Sequence, residues 1–72
     1  MRWMTQEQEK VYRFIVAQID SEGFPPTIQE IAEATAAKPS LAHRRVVALE
    51  KKGYLAREGH RATRNIRIKI RL

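Results

Sequence analysis

TIQEIAEATAAKPSLAHRRVVALEKKG, residues 27–53, is the stretch that decides the fold, because it carries start and stop signals for two short helices. Thr27 and Glu30 stand three residues apart ahead of an apolar pair, which is the spacing of a capping box. The two prolines before Thr27 cannot continue a helix, so this start is sharply defined. A second helix start follows at Lys-Pro-Ser, residues 38–40, and Gly53 ends the later helix of this pair.

Only a short turn separates these two helices, since residues 34–37 leave room for little else. Helices joined so closely cannot lie antiparallel along their length and must cross steeply, as in a helix-turn-helix. We therefore predict a second helix at about residues 28–34 and a third, the recognition helix, at about residues 40–52. The alternative is a helical hairpin with a solvated basic face.

A first helix is predicted ahead of this pair, at about residues 5–22, and a glycine follows it. Thr5 and Gln8 have the spacing of another capping box. The apolar residues that recur with a period of 3.6 are Val11, Ile15 and Ile19. Trp3 and Phe24 are expected to pack against the core from either end of this helix.

The period changes after Gly53 from that of a helix to that of a strand. In residues 66–72, Ile and Leu alternate with Arg and Lys, which is typical of a half-buried strand. We predict strands at about residues 54–57 and 64–70, joined by a hairpin loop with a basic tip. The predicted fold is α+β, mostly α: one winged helix-turn-helix domain, with three helices followed by a two-stranded wing. An isoleucine-rich terminal strand is also typical of a dimerisation edge.

Composition excludes several classes of protein. The 72 residues support one small core, and the lack of cysteine rules out a disulfide and gives no sign of secretion. No apolar run approaches the roughly 20 residues that cross a bilayer. The first four residues lack the apolar stretch of a signal peptide. We expect a cytoplasmic, nucleoid-associated protein.

The net charge of +6 is concentrated in one half of the chain. Residues 1–37 carry six acidic and three basic side chains, whereas residues 38–72 carry two acidic and eleven basic ones. A surface that only keeps a protein soluble would intersperse the signs, so this segregation favours a polyanion partner, above all double-stranded DNA. An ordinary solvated basic face is the alternative.

The third helix separates into two faces when it is projected at about 100° per residue. The inward face is formed by Ala42, Val46 and Leu49, and the outward face by Ser40, Arg44, Val47 and Lys51, flanked by Leu41, His43 and Ala48. Arginine, serine and small apolar groups suit the base edges and thymine methyls of the DNA major groove. The residues predicted to read bases are Ser40, Leu41, His43, Arg44 and Val47.

Two further sets are predicted to bind the DNA backbone. The helical set consists of Thr27, Gln29, Lys38, Arg45, Lys51 and Lys52. Within it, Arg45 lies nearer the buried side of its helix, which suits a phosphate or an internal carboxylate. The wing set, expected along the backbone or in the adjacent minor groove, consists of His60, Arg61, Thr63 and Arg64.

Signs of catalysis are missing from the sequence. His43 and His60 are the only histidines and have neither a cysteine nor paired carboxylates beside them, which argues against a metal site. The three glycines are isolated and form no phosphate-binding loop, and no serine has a plausible base. We predict no enzyme, no cofactor and no small-molecule ligand.

Six short segments of the sequence carry a resemblance to a known family: TQEQEKV at 5–11, GFPPT at 23–27, EIA at 30–32, AL at 48–49, KG at 52–53 and RNIR at 64–67. Together they resemble the amino-terminal DNA-binding domain of LexA repressors. The likeness spans about residues 4–69, with Pro-Pro-Thr followed by Glu-Ile-Ala as its most specific part. The resemblance implies a winged helix-turn-helix that represses transcription by reading operator DNA with its third helix. It places Ser40, Leu41, His43 and Arg44 in the base-reading segment.

Three departures from that family have consequences. The turn after Ala34 is one residue shorter, which predicts a reoriented recognition helix. His43 and Arg44 stand where family members carry acidic residues, so a different operator is expected. The family's self-cleaving peptidase domain, with its Ser–Lys pair and dimer contacts, has no counterpart in these 72 residues, so we expect no self-cleavage. Both an excised domain and a small free-standing regulator fit this sequence.

The predicted function is sequence-specific binding of duplex DNA as a transcriptional regulator, most simply a repressor. We expect a monomer that pairs with a second copy only on paired half-sites of DNA. Two alternatives stand beside this prediction. One is a non-specific accessory DNA-binding protein, and the other is a protein-interaction module that uses the apolar tail.

Overall fold

Three helices and an antiparallel hairpin make up the part of the chain that our computed structural model describes, residues 3–59 and 64–72. The elements in chain order are α1 Gln6–Glu22, α2 Ile28–Ala34, α3 Pro39–Lys51, β1 Leu55–Arg57 and β2 Ile66–Ile68. This order confirms the predicted α+β class and the winged helix-turn-helix.

The helices start where the capping residues predict. The Thr27 hydroxyl accepts from the Glu30 amide at 3.1 Å, and the Glu30 carboxylate accepts from the Thr27 amide at 2.9 Å. Thr5 and Gln8 make the same reciprocal pair at the start of α1. Because each box satisfies two amides that have no partner within the helix, both starts are locally determined. Both capping boxes are therefore confirmed.

A glycine with positive φ closes α3, as predicted. Gly53 has φ 89° and donates its amide to Glu50 O, while the Tyr54 amide donates to Leu49 O, both at 3.0 Å. These two bonds form a Schellman motif, in which a left-handed residue satisfies the last carbonyls of the helix. The motif turns the chain directly from α3 into β1.

The turn between α2 and α3 uses the same motif without a glycine. The Ala36 amide donates to Glu33 O at 3.3 Å and the Ala37 amide to Ala32 O at 2.9 Å, with Ala36 at φ 54°. A Cβ in the left-handed region costs free energy that glycine avoids. The tight crossing of α2 and α3 is therefore held in a mildly strained conformation.

One cluster of buried apolar side chains joins all five elements. Its members are Val11, Tyr12, Ile15, Ile31, Ala32, Ala42, Val46, Leu49, Tyr54, Leu55 and Ile66. The predicted inward face of α3 is confirmed, since Ala42, Val46 and Leu49 are completely buried. This helix contacts α1, α2 and β1. With its inward face enclosed on these sides, α3 has only its outward face available for a partner.

The strands are shorter than predicted. In the ladder, Leu55 pairs with Ile68 and Arg57 with Ile66, so the second strand ends at Ile68 rather than at residue 70. The amides of Lys69 and Ile70 both donate to Tyr54 O, at 2.8 and 3.2 Å. One carbonyl that receives two successive amides bends the chain away from the ladder. The predicted strand bounds 54–57 and 64–70 were therefore too long.

The tail that follows packs onto α1 instead of continuing the sheet. The Tyr12 hydroxyl donates to Ile70 O at 2.6 Å and accepts from the Leu72 amide at 3.0 Å. The guanidinium of Arg71 pairs with Asp20 near the end of α1. The tail is therefore held through its backbone and Arg71, while the side chains of Ile70 and Leu72 are exposed, so the predicted half-buried alternation does not extend to them.

Two aromatic residues lie outside the core, contrary to expectation. Trp3 is 79% exposed, and Phe24 is 44% exposed. The Phe24 ring lies under the Arg64 guanidinium, whose Cζ is 4.8 Å from the ring centroid. A cation over the face of a ring stabilises an aromatic side chain at the surface, so Phe24 has a partner without entering the core.

A bidentate ion pair ties the second arm of the hairpin to the start of α2. Arg64 donates to the two Glu30 oxygens at 2.7 and 2.9 Å and also to Pro25 O at 3.0 Å. The Arg64 hydrogen bonds, followed by the Thr27 amide, lower the pKa of Glu30 from 4.5 to about 2. Glu30 therefore caps α2 and anchors the hairpin at the same time.

We predict that Ala36→Gly stabilises the domain. Glycine removes the left-handed penalty of roughly 1–2 kcal/mol but adds chain entropy to the unfolded state, so the free energy of unfolding should rise by roughly 0.5–1 kcal/mol. Thermal unfolding measures the change. Ala17→Gly, at an exposed site inside α1, is the control and should lower the free energy of unfolding by about 1 kcal/mol. Equal losses in both variants would contradict a strained turn.

Acid should weaken the link between Glu30 and Arg64. Because the folded-state pKa of Glu30 is lowered, its contribution to stability is complete above about pH 4.5 and is lost as the pH falls towards about 2. Carboxyl ¹³C shifts of Glu30, followed through an NMR titration, measure the pKa. Arg64→Met should move the Glu30 pKa back towards 4.5, whereas Arg67→Met should leave it unchanged. A Glu30 pKa near 4.5 in the unmodified protein would show that the ion pair does not form.

Candidate nucleic-acid interface

The outward face of α3 forms a polar stripe with two apolar positions. Ser40, His43, Arg44 and Lys51 are exposed, and Leu41 and Val47 are half-buried. A shallow groove on this face is lined by His43, Arg44, Val47, Ala48 and Lys51. All five residues predicted to read bases therefore lie on α3 and are exposed or half-buried. That they read bases remains a prediction.

Most cations away from α3 are engaged within the protein. In the part of the chain that the structure describes, every arginine outside α3 has an acidic partner. These pairs are Arg13–Glu9, Arg57–Glu50, Arg64–Glu30, Arg67–Glu58 and Arg71–Asp20. Such surface pairs add little stability individually, but each one uses a guanidinium that is then less available to a polyanion.

The cations of α3 and its N-cap are free of such pairs. Over residues 3–59 and 64–72, no side-chain hydrogen bond or ion pair involves Lys38, Arg44, Arg45 or Lys51. The internal carboxylate considered for Arg45 is therefore not realised among the described residues. Four unneutralised charges along one helix create a local positive potential that attracts a polyanion.

Two residues predicted to contact DNA have side chains that bind other residues of the protein. The Lys52 ammonium donates to Gln8 Oε1 at 2.6 Å and to Trp3 O at 3.0 Å, which joins the end of α3 to the start of α1. Arg64 is held by Glu30 and Pro25 O. The sequence carried no signal for these partners, because Gln8 and Glu30 read fully as capping residues.

The other predicted backbone contacts lie around the start of α2 or outside the described residues. Thr27 is half-buried and engaged in its capping box, and Gln29 is exposed on α2. The wing residues predicted to meet DNA but lying outside the described part of the chain are His60, Arg61 and Thr63. Their role remains a prediction.

A second cleft separates α3 from the hairpin, and sequence reasoning missed it. It is lined by His43, Glu50, Arg57, Gly59 and Asn65. Arg57 of β1 has one guanidinium nitrogen 3.1 Å from His43 Nε2, and the same nitrogen lies 3.8 Å from a Glu50 oxygen. Only the direction in which β1 leaves α3 brings Arg57 to this helix, so local sequence could not reveal the contact.

Within residues 3–59 and 64–72, no three His, Cys, Asp or Glu side chains come together as metal ligands would. Nor does any of the helices combine the length and apolar character that crossing a membrane requires.

Comparison with known proteins gives a consistent result. The family model of the LexA DNA binding domain matches residues 1–64. A LexA repressor from Pseudothermotoga lettingae is 46% identical over 65 residues, which cover 90% of this chain and 32% of that protein. One from Magnetococcus marinus is 45% identical over 59 residues, covering 82% of this chain and 26% of its own.

A third relative extends over the whole chain. The LexA repressor of Thermotoga petrophila is 39% identical over 77 aligned positions, which cover 100% of this chain and 39% of that protein. The chain thus spans between a quarter and two fifths of the length of these relatives. The family match over residues 1–64 takes in the three helices and β1, and the chain belongs to the LexA DNA-binding domain family.

Proposed function

We propose that this chain binds duplex DNA sequence-specifically and represses transcription, with α3 lying in the major groove. The observation that carries the proposal is the set of unpaired cations at Lys38, Arg44, Arg45 and Lys51, on the helix whose outward face also presents Ser40 and Val47. The LexA repressor relatives support the repressor role. In this arrangement the protein blocks transcription by occupying its site.

Base reading is assigned to residues 40–47 of α3. In helix-turn-helix proteins the first residues of the recognition helix contact base edges. The Arg44 guanidinium can donate two bonds to guanine O6 and N7, and the Ser40 hydroxyl can donate or accept. Leu41 and Val47 offer apolar contact to thymine methyl groups.

Backbone binding is assigned to cations that surround this reading face. Lys38, Arg45 and Lys51 are proposed to neutralise phosphates, which positions the helix without reading sequence. Thr27 and Gln29 at the start of α2, together with His60, Arg61 and Thr63 of the wing loop, are proposed to extend the contact along the duplex. Lys52 and Arg64 can join only by giving up their bonds to Gln8 and Glu30, so we assign them to support.

Two copies are proposed to assemble on DNA rather than in solution. Operators of helix-turn-helix proteins are commonly paired half-sites, which two copies read with twofold symmetry. The apolar tail, which had suggested a dimerisation edge, is folded against α1 through Tyr12 and Asp20. We propose that the protein acts on the nucleoid in the cytoplasm.

Binding is predicted to weaken steeply with salt. If about five to seven phosphates are neutralised, the slope of log K against log salt concentration should be roughly −4 to −6, because bound phosphates release their counterions. Titration of a fluorescent duplex at several salt concentrations measures the slope. A flat response would contradict the proposal and favour the protein-interaction module.

Arg44 and Lys51 are predicted to fail in different ways when replaced by alanine. Arg44→Ala should cost about 1–3 kcal/mol on the preferred duplex and much less on random duplex, because it removes contacts to a base. Lys51→Ala should weaken both duplexes alike and make the salt slope shallower by about one, because it removes a phosphate contact. Competition binding on the two duplexes measures both effects.

Each variant serves as the control for the other, since both remove one positive charge from the same exposed face of α3. Neither should alter the melting temperature much, because both side chains point away from the core. If Arg44→Ala weakened binding to random and preferred duplexes equally, α3 would be a backbone clamp and not a reader of bases.

A further inference from the structure

Among the contacts made by residues 3–59 and 64–72, a side chain of the hairpin reaches the predicted base-reading face at His43. Its Nε2 lies 3.1 Å from an Arg57 guanidinium nitrogen, and a Glu50 carboxylate oxygen lies 3.8 Å from that same nitrogen. Glu50 and Arg57 are each half-buried between α3 and β1, whereas His43 is exposed. A three-membered chain thus runs from the interior edge of the cleft to the outward face of α3.

The chemistry of this contact determines the protonation of the imidazole. A guanidinium has only donors, so His43 Nε2 must accept the hydrogen bond and cannot carry a proton. In a neutral imidazole the proton then sits on Nδ1. The remaining polar atom that His43 offers to a partner is therefore a donor and not an acceptor.

We propose that Arg57 is a positioning residue that fixes His43 as a one-way hydrogen-bond donor and thereby sets base preference at one position of the DNA site. The inference rests on the function proposed above and names the base chemistry that this histidine selects. Glu50, which like His43 belongs to α3, supports it through its ion pair with the Arg57 guanidinium.

The base preference follows from the hydrogen-bond donors and acceptors that each base presents in the major groove. A donor is complementary to guanine O6 or N7, adenine N7 and thymine O4, but not to the amino group at cytosine N4. Without Arg57 the imidazole could adopt either tautomer and accept from the cytosine amino group as readily as it donates to guanine. Arg57 therefore makes His43 distinguish a guanine from a cytosine on the strand that it contacts.

Arg57→Met tests this inference, with Arg67→Met as its matched control. Both variants remove one positive charge from the hairpin, but Arg67 bonds to Glu58 and not to His43. His43→Ala first identifies the base pair concerned, as the one at which the preference is lost. Binding is then measured with all four bases at that position, on the duplex selected from random sequence.

The unmodified protein should prefer guanine over cytosine there by about tenfold. Arg57→Met should reduce this ratio to about twofold, and Arg67→Met should preserve it. Adding Arg57→Met to His43→Ala should cause no further loss of the guanine-to-cytosine ratio, because both changes act through one contact.

A spectroscopic measurement on the unmodified protein tests the same point without any variant. Long-range ¹H–¹⁵N NMR at mildly alkaline pH, where a free imidazole is neutral, distinguishes the two tautomers. His43 should show its proton on Nδ1, and Arg57→Met should give a mixture of tautomers. A His43 proton on Nε2 in the unmodified protein would overturn the inference.

The outcomes separate this inference from the proposed function. If selection returned no preferred duplex, the proposed function and the inference would both be wrong. If a preferred duplex were found but Arg57→Met kept the full guanine-to-cytosine ratio, only the inference would be overturned.

Discussion

The buried inward face of α3 is the constraint on which the rest of the structure depends. Ala42, Val46 and Leu49 are enclosed by α1, α2 and β1, and this fixes the rotation of α3 about its own axis. A rotation by one residue would place a charged side chain in the core, where an unpaired charge is costly. The residues presented on the outward face are therefore determined by what the inward face buries.

The basic side chains fall into two groups, those paired with acidic side chains and those left unpaired. Much of the basic half is neutralised by acidic partners: Arg64 binds Glu30 of α2, and Arg71 binds Asp20 of α1. These pairs attach the hairpin and the tail to the acidic first half of the sequence. Of the cations left unpaired on α3 and at its start, Lys38, Arg44 and Lys51 are exposed and Arg45 is half-buried. The segregation of charge in the sequence therefore suggested a larger polyanion-binding surface than the unpaired cations of α3 provide.

Local signals made most of the fold predictable. The Thr27–Glu30 and Thr5–Gln8 boxes and the glycine after α3 act within one helical turn, so three or four residues suffice to recognise them. The inward face of α3 was equally readable, because helical period alone assigns it. The outward face, and hence most of the candidate site, followed by elimination.

Several missing parts of the prediction depend on partners distant in sequence. The end of β2 was wrong because Tyr54 O draws the chain out of the ladder, and strand alternation cannot show such a bond. Lys52 and Arg64 looked available because their partners, Gln8 and Glu30, lie 44 and 34 residues away. The Arg57 contact to His43 has the same origin. Lys52, Arg57 and Arg64 thus read as isolated charges in the sequence, although tertiary structure pairs them.

Selection of bound sequences from a random pool of duplex DNA is the decisive test that α3 reads bases. We expect the protein to enrich a common motif of a few adjacent base pairs, with at least one guanine that is strongly preferred. A pool that stays random despite measurable binding would show that the unpaired cations of α3 only clamp the backbone. A pool with no retained DNA would show that this face has a different partner.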